Sequence, residues 1–188
     1  MEETKYVIYG AGGHARVLRN LLTSTDSSAE LLCFFNDAEK PHEVDSTVVF
    51  PYSAAVFPEA VMLLGIGSAK IRKSLAEKVS HRIATLIHPS AFIADDVEIG
   101  EGTVVLPQAV IQSGAKIGKH VIINSHVCVD HDAVVEDYVT TYPGVYIGGE
   151  ALVGEGCLLN PNAVVMRFTV VPPYIEVMPG EVFHPDFL

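Results

Sequence analysis

From Ile87 onward the hydrophobic positions recur every six residues, and the phase holds through fourteen hexads, from IHPSAF by way of INSHVC and VDHDAV to VMRFTV. The first position is Ile, Val or Leu in every hexad except at Thr141, and the fifth is always Ala, Val, Thr or Cys. A period of six suits neither a helix at 3.6 nor an ordinary strand at 2. It predicts a parallel β-helix of hexapeptide repeats, each hexad making one short strand and one corner. The first residue fills the interior, and the fifth points inward where only a small side chain fits. Gly, Asn and Asp at the second to fourth positions serve corners that need positive φ. Three hexads close a triangular turn, so about 18 residues advance the coil by one strand spacing of roughly 4.8 Å. Residues 87–171 then make between four and five turns. A β-sandwich would lose this phase.

The first 86 residues follow a different rhythm. KYVIYG reads as a buried strand, AGGHARVLRNLL as a glycine turn entering a helix, and LLCFFND as a second strand. VMLLGIGSAKIRKSLAEKV repeats strand, glycine turn and helix, and RIATLI reads as a last strand. Alternating strands and helices predict a small, Rossmann-like α/β domain with a parallel sheet. The join falls near residues 84–88. Residues 172–188 are expected to form a capping tail, with Tyr174 and Phe183 suited to covering the last coil edge.

Composition narrows the function. The net charge of −11 argues against nucleic acid, whose binding needs clustered Lys and Arg. Of the basic residues only Lys116, Lys119 and Arg167 follow residue 87, so a phosphate group is more easily held by the first half. No apolar run approaches the roughly 18 residues of a membrane span, and the acidic start MEETKYVIYG is unlike a signal peptide. Cys33, Cys128 and Cys157 lack zinc-type spacing and are odd in number. These features together point to a cytoplasmic protein with reduced thiols.

Two sets of residues carry candidate chemistry. Gly10 to Ala15, GAGGHA, has the pattern of a dinucleotide-binding turn, where glycines let the backbone approach a phosphate at a helix N-terminus. A nucleotide-sugar phosphate, NAD and a structural turn all remain open readings. Gly65, Gly67 and Ser68 fall at the same carboxyl edge, with Asn36 and Asp37 after the second strand. His14 reads equally as a ligand contact or a surface residue. The second set is INSHVCVDHDAVVEDYVTTYPG, with His126 and His131. His131 is the third residue of its hexad and should stand on an outer corner. Gly149 lies one turn up the stack, where its N–H could polarise a carbonyl beside the imidazole. Cys128 ends its hexad and reads as packed.

A short α/β domain opening with YGAGGHARV, then FFND, then GIGSAKIRK, followed by hexads with NSHVCVDHD, resembles a known acetyltransferase group. It is the sialic acid O-acetyltransferase and bacillosamine N-acetyltransferase group (NeuD/PglD type). The resemblance runs from about residue 5 to 160. It implies a left-handed β-helix, a homotrimer, and acetyl-CoA-dependent transfer to a nucleotide-linked amino sugar, or O-acetylation of a sialic acid or other sugar. It further implies a nucleotide held by Gly10, Gly12, Gly13 and His14, with Asn36 and Asp37 near the base and Gly67 close by. His131 would be the general base, Asp132 its orienting partner, Asn124 a residue facing the sugar and Gly149 a contact of the acetyl donor. The chain departs from the group at Thr140, where a second histidine near the donor is common, and in its shorter tail.

Two rival readings stand beside this one. The spacing of His126 and His131 is that of the γ-class carbonic anhydrases, but the position of their third zinc histidine is Ser90 here. A β-helix that binds a nucleotide sugar without transferring anything is the other.

Overall fold

A computed structural model describes residues 4–37 and 42–184, which form two compact units divided after Leu86.

In the first unit β1 (Lys5–Tyr9), β2 (Glu30–Phe35), β3 (His42–Val44), β4 (Thr47–Phe50) and β5 (Val61–Leu64) form one sheet in the order β3-β4-β2-β1-β5. All pairings are parallel except the β3–β4 hairpin, which the sequence reading did not foresee. Helix α1 (Gly13–Thr25) buries Ala15, Leu18, Leu21 and Leu22, whose spacing of three and four puts them on one face. Helix α2 (Ala69–Lys78) follows β5. RIATLI does not form the expected strand. Only Ile83 makes an isolated parallel bridge, to Met62, and Leu86–Ile87 already begins the coil.

The second unit is a left-handed parallel β-helix. Its strands, β6 (Leu86–Ile87) to β22 (Val182–Phe183), are each two residues long at six-residue intervals. They stack on three faces of six, five and six strands, which makes between five and six turns. Each strand joins the outward sixth residue of one hexad to the inward first residue of the next. Ile111, Ile123, Val129, Ile147, Leu159 and Val165 are fully buried first positions, and Ala109, Val127, Ala133 and Ala163 are fully buried fifth positions.

From Gly102 onward the fourth residue of each hexad turns the corner with positive φ, as at His126 (59°), Asp132 (58°), Glu150 (58°) and Phe168 (61°). Where this position is Gly, the fourth side chain one turn later lies over it. A Cβ on Gly114 would come 2.3 Å from Oδ1 of Asp132, and one on Gly144 2.3 Å from Oδ1 of Asn162. Glycine here makes room as well as supplying conformation.

The expected capping tail is instead more coil. Val171, Val177 and Phe183 continue the first position in phase, and β20 (Val170–Val171), β21 (Glu176–Val177) and β22 pair in register with strands one turn earlier. Phe183 therefore points into the core, and Tyr174 lies over Gly156 as a corner residue.

Because each turn packs only on its neighbours, one buried methyl-rich side chain holds two interfaces at once. Ile147→Ala is expected to destabilise the coil by about 2–5 kcal/mol, read by denaturant unfolding. Lys116→Ala, on the outside, should stay within about 0.5 kcal/mol.

Candidate functional site

The sequence candidates fall into two groups, one in each unit. In the first unit the carboxyl ends of β1, β2 and β5 come together. Gly10 N–H donates to Phe35 O at 2.7 Å, Gly65 N–H to Tyr9 O at 2.7 Å, and Asn36 N–H to Phe50 O at 2.8 Å. Gly10 is a packing glycine. Its φ is +106°, and a Cβ there would lie 2.7 Å from Gly65 O. Gly12, Gly13 and Gly67 differ, since no heavy atom lies within 4 Å of an added Cβ. Gly12 and Gly13 leave space for an approaching group at the start of α1, and Gly67 leaves space on its Cα beside α2. The N-cap of α1, Gly12, has no side-chain cap and the first turn carries no acidic residue, which suits an anion.

His14 stands at this helix start. Burial, and next the charge of Arg72, lower its pKa to about 4, so the ring is neutral at physiological pH. Its Nε2 has no hydrogen-bond partner among the described residues. Arg72, only 1% exposed, donates to the carbonyls of Ile66 (3.0 Å) and Gly67 (2.8 Å) and so braces the second glycine turn. The sequence pattern alone does not single it out.

Asp37 is engaged by the protein itself. Lys78 pairs with Oδ2, and the N–H of Tyr52 donates to Oδ1 at 3.1 Å. The Lys78 hydrogen bond, followed by one from Tyr9, holds its carboxyl below the usual range. Burial first, and then the bond to Asp37, pushes the Tyr9 phenol up to about 12. Asp37 thus ties β2 to α2 across the carboxyl edge.

In the coil, His131 follows β13 (Cys128–Val129) on an outer corner, with its side chain 58% exposed. Its N–H donates to Asp130 Oδ1 at 2.8 Å, and Nδ1 lies 2.9 Å from Asp132 Oδ2. That bond assigns the proton to Nδ1 and leaves Nε2 as the basic nitrogen. The ring lies against the next turn, where a Cβ on Gly149 would come 2.8 Å from Nε2. Gly114 below and Gly149 above therefore make room for the Asp132–His131 pair. The Asp132 hydrogen bond, and secondarily the charges of Asp130, Asp132 and Glu150, raise the His131 pKa above its ordinary value.

A pocket of about 180 Å³ opens here, lined by Asp130, His131, Tyr146, Gly149, Glu150, Arg167 and Phe168. Arg167, one of the few basic residues of the coil, stacks 4.3 Å over the Phe168 ring. Cys128 is half-buried, and burial raises its thiol pKa, which disfavours it as a nucleophile.

Asn124 and Thr140 do not line this pocket. Asn124 Oδ1 accepts the Ser125 N–H at 2.8 Å on the preceding corner, and Thr140 is buried in β15 (Thr140–Thr141) on another face. His126 turns that preceding corner with positive φ. No group of three His, Cys, Asp or Glu among the described residues could hold a metal ion. Among the same residues no helix is long and apolar enough to cross a membrane.

Residues 5–79 match the PglD N-terminal domain, and residues 96–131 match the bacterial transferase hexapeptide repeats. The chain is 26% identical over 172 residues to GDP-perosamine N-acetyltransferase of Escherichia coli, covering 86% of this chain and 78% of that protein. It is 34% identical over 108 residues to UDP-N-acetylbacillosamine N-acetyltransferase of Bacillus subtilis, covering 53% of this chain and 50% of the relative. Among solved structures, a histidine mutant of perosamine N-acetyltransferase from Caulobacter crescentus, in complex with CoA and GDP-perosamine, superposes with TM-score 0.68. It is 26% identical and covers 95% of this chain and 90% of that one. The acetyltransferase domain of PglB from Neisseria gonorrhoeae shares the fold at TM-score 0.69 and 23% identity, over 96% and 94% of the two chains. In joining a PglD-like N-terminal domain to hexapeptide repeats, the chain is similar to the PglD-type sugar acetyltransferases.

Proposed function

We propose that the chain is an acetyl-CoA-dependent N-acetyltransferase of a nucleotide-linked amino sugar, with His131 as general base. The observation that carries this reading is an imidazole fixed at Nδ1 by Asp132, with its basic Nε2 turned toward Gly149. The amine of the sugar attacks the thioester carbonyl carbon, forming the C–N bond, and Nε2 takes the amine proton. Asp132 stabilises the imidazolium. The Gly149 N–H would donate to the oxygen as it gains charge. The C–S bond then breaks, and the imidazolium returns its proton to the leaving thiolate. No acyl-enzyme is formed, in keeping with the poor nucleophilicity of Cys128.

The perosamine and bacillosamine relatives, which match more than half of the chain, support N- over O-transfer by their names, whereas the matching UDP-N-acetylglucosamine O-acyltransferases align over only about a third of it. Gly12, Gly13, His14 and Gly67 are the proposed phosphate contacts. Asn36 lies near the base, and Asp37 acts through Lys78 and Tyr52 to hold that edge. Asn124 and Thr140, which do not line the pocket, would meet substrate only from a neighbouring subunit's side.

A homotrimer fits the outward residues of one face. Phe92, Val110, Cys128, Tyr146, Val164 and Val182 form an apolar stripe on the sheet that leads into the His131 corner, and Phe92 is 56% exposed in the single chain. Sedimentation at three times the chain mass would support this, and a monomer at micromolar concentration would exclude it.

The deciding experiment screens UDP-, GDP-, dTDP- and CMP-linked amino sugars for binding, with and without acetyl-CoA, and follows release of thiol. Selection of one nucleotide with thiol release is expected. Binding without thiol release would leave only a nucleotide-sugar-binding protein.

A pH prediction follows from the same geometry. The base must be neutral to accept a proton, and its pKa is raised, so kcat/KM should rise with pH through a value above the ordinary imidazole one. A profile that is flat there, or falls, would count against His131 as base.

A further inference from the structure

Asp130 is neither the base nor its orienting partner, yet both its oxygens are committed at this site. Oδ1 accepts the N–H of His131 at 2.8 Å, and Oδ2 accepts the phenol of Tyr146 at 2.8 Å. These bonds hold the Asp130 carboxyl below its usual range, the His131 N–H being the larger cause. Tyr146 begins β16 (Tyr146–Ile147), one turn up, where Cys128 pairs with Tyr146 in register. On this face the other outward residues are Phe92, Val110, Cys128, Val164 and Val182, none of which carries a hydroxyl. A packing role at this position needs no hydroxyl. The hydroxyl at Tyr146 reaches Asp130, in the wall of the His131 pocket.

We propose that Tyr146 and Asp130 are positioning residues for the base, the phenol locking the Asp130 carboxylate in the rotamer that grips the main chain of His131. The proposal rests on the reading of His131 as base.

The need for such a grip is visible in the geometry. His131 and Asp132 are both well exposed, and Asp132 sits at φ +58° on a corner. Their mutual hydrogen bond fixes the ring relative to Asp132, but it leaves the exposed pair able to swing together. The Asp130 bond ties the His131 backbone to its own corner, and Tyr146 ties that carboxylate to the next turn. A base displaced by about 1 Å loses on the order of a hundredfold in rate, so a modest rotation of the corner matters.

The charged groups facing the imidazole are Asp130 and Asp132 on its own turn, with Glu150 and Arg167 on the next two turns. On the turn below, the Ser113 hydroxyl and the Gly114 N–H are taken by Asp96. Asp130 therefore also supplies negative charge beside the imidazolium.

Tyr146→Phe keeps the ring and removes only the hydroxyl. It is expected to lower kcat about tenfold, with KM for both substrates within about twofold. The assay follows thiol release from acetyl-CoA with GDP-perosamine as acceptor. Asp130→Ala should lower kcat at least as much, and the double variant should be no worse than Asp130→Ala, because both act through one contact. Multiplying effects, or an unchanged Tyr146→Phe enzyme, would overturn the proposal, as would a change confined to the acceptor KM. A readout independent of any acceptor is the imidazole titration of His131 by NMR in the resting protein. Asp130→Asn should shift it to lower pH, and an unshifted titration also overturns the idea. His131→Ala, run beside them, separates the two claims. An inert His131→Ala with a fully active Tyr146→Phe sinks the positioning role alone, whereas an active His131→Ala sinks the base.

Discussion

His131→Ala is expected to lower the rate of acetyl transfer by at least about a hundredfold, the low end for loss of a general base, while the protein still folds, assembles and binds its nucleotide. The side chain stands on an exposed corner and contributes nothing to the coil core, so its removal opens no cavity. Its loss removes the imidazole, the group among the described residues lining the pocket that is suited to take a proton near neutral pH. Asp130 lines the same pocket with its carboxyl held below the usual range by the His131 N–H and the Tyr146 phenol, and a low residual rate through it is compatible with the mechanism. Wild-type turnover in the variant would exclude it. Melting temperature and nucleotide binding, measured on the same sample, guard against loss of rate through misfolding.

Gly149→Ala tests the other side of the ring. The added methyl would come 2.8 Å from Nε2 and 3.0 Å from Cε1 of His131, so the imidazole must move. It is able to do so because it is exposed, and the stability cost should stay below about 1 kcal/mol. Rate should fall by roughly ten- to a hundredfold, because the base is turned away and the N–H beside it is screened. An unchanged kcat would show that the ring need not lie against Gly149 during turnover. A large loss of stability with normal specific activity would assign that glycine a purely structural role. The contrast with Ile147→Ala, two residues earlier and pointing inward, is direct. There stability should fall, and the chemistry of whatever remains folded should not.

Much of the coil was legible from single residues, because its rule is local. A first position that is aliphatic, a fifth that is small and a corner between them can be recognised hexad by hexad. The same rule places His131 and Asp132 on the outside. The tail was misread although Val171, Val177 and Phe183 keep the phase. Its prolines suggest a stop, yet Pro107, Pro143 and Pro161 occupy the third position of earlier hexads within the coil. That corner residue has negative φ and can lack an N–H, so Pro173 and Pro179 at the same position continue the helix rather than end it.

The first unit was less legible at the level of individual roles. GAGGHA marked the glycine turn into α1, but sequence alone does not separate Gly10, pressed against Gly65, from Gly12 and Gly13, which face open space. Nor does it show that Lys78, forty-one residues on, takes Asp37. The division has one physical cause. Periodicity, glycine placement and charge sign are properties of the chain read in order, and they determined the β-helix, the α/β opening and the corner that carries His131. Which oxygen meets which donor depends on residues brought together from different turns, as with Asp130 and Tyr146 or Asp132 over Gly114. Only the stacked structure decided those.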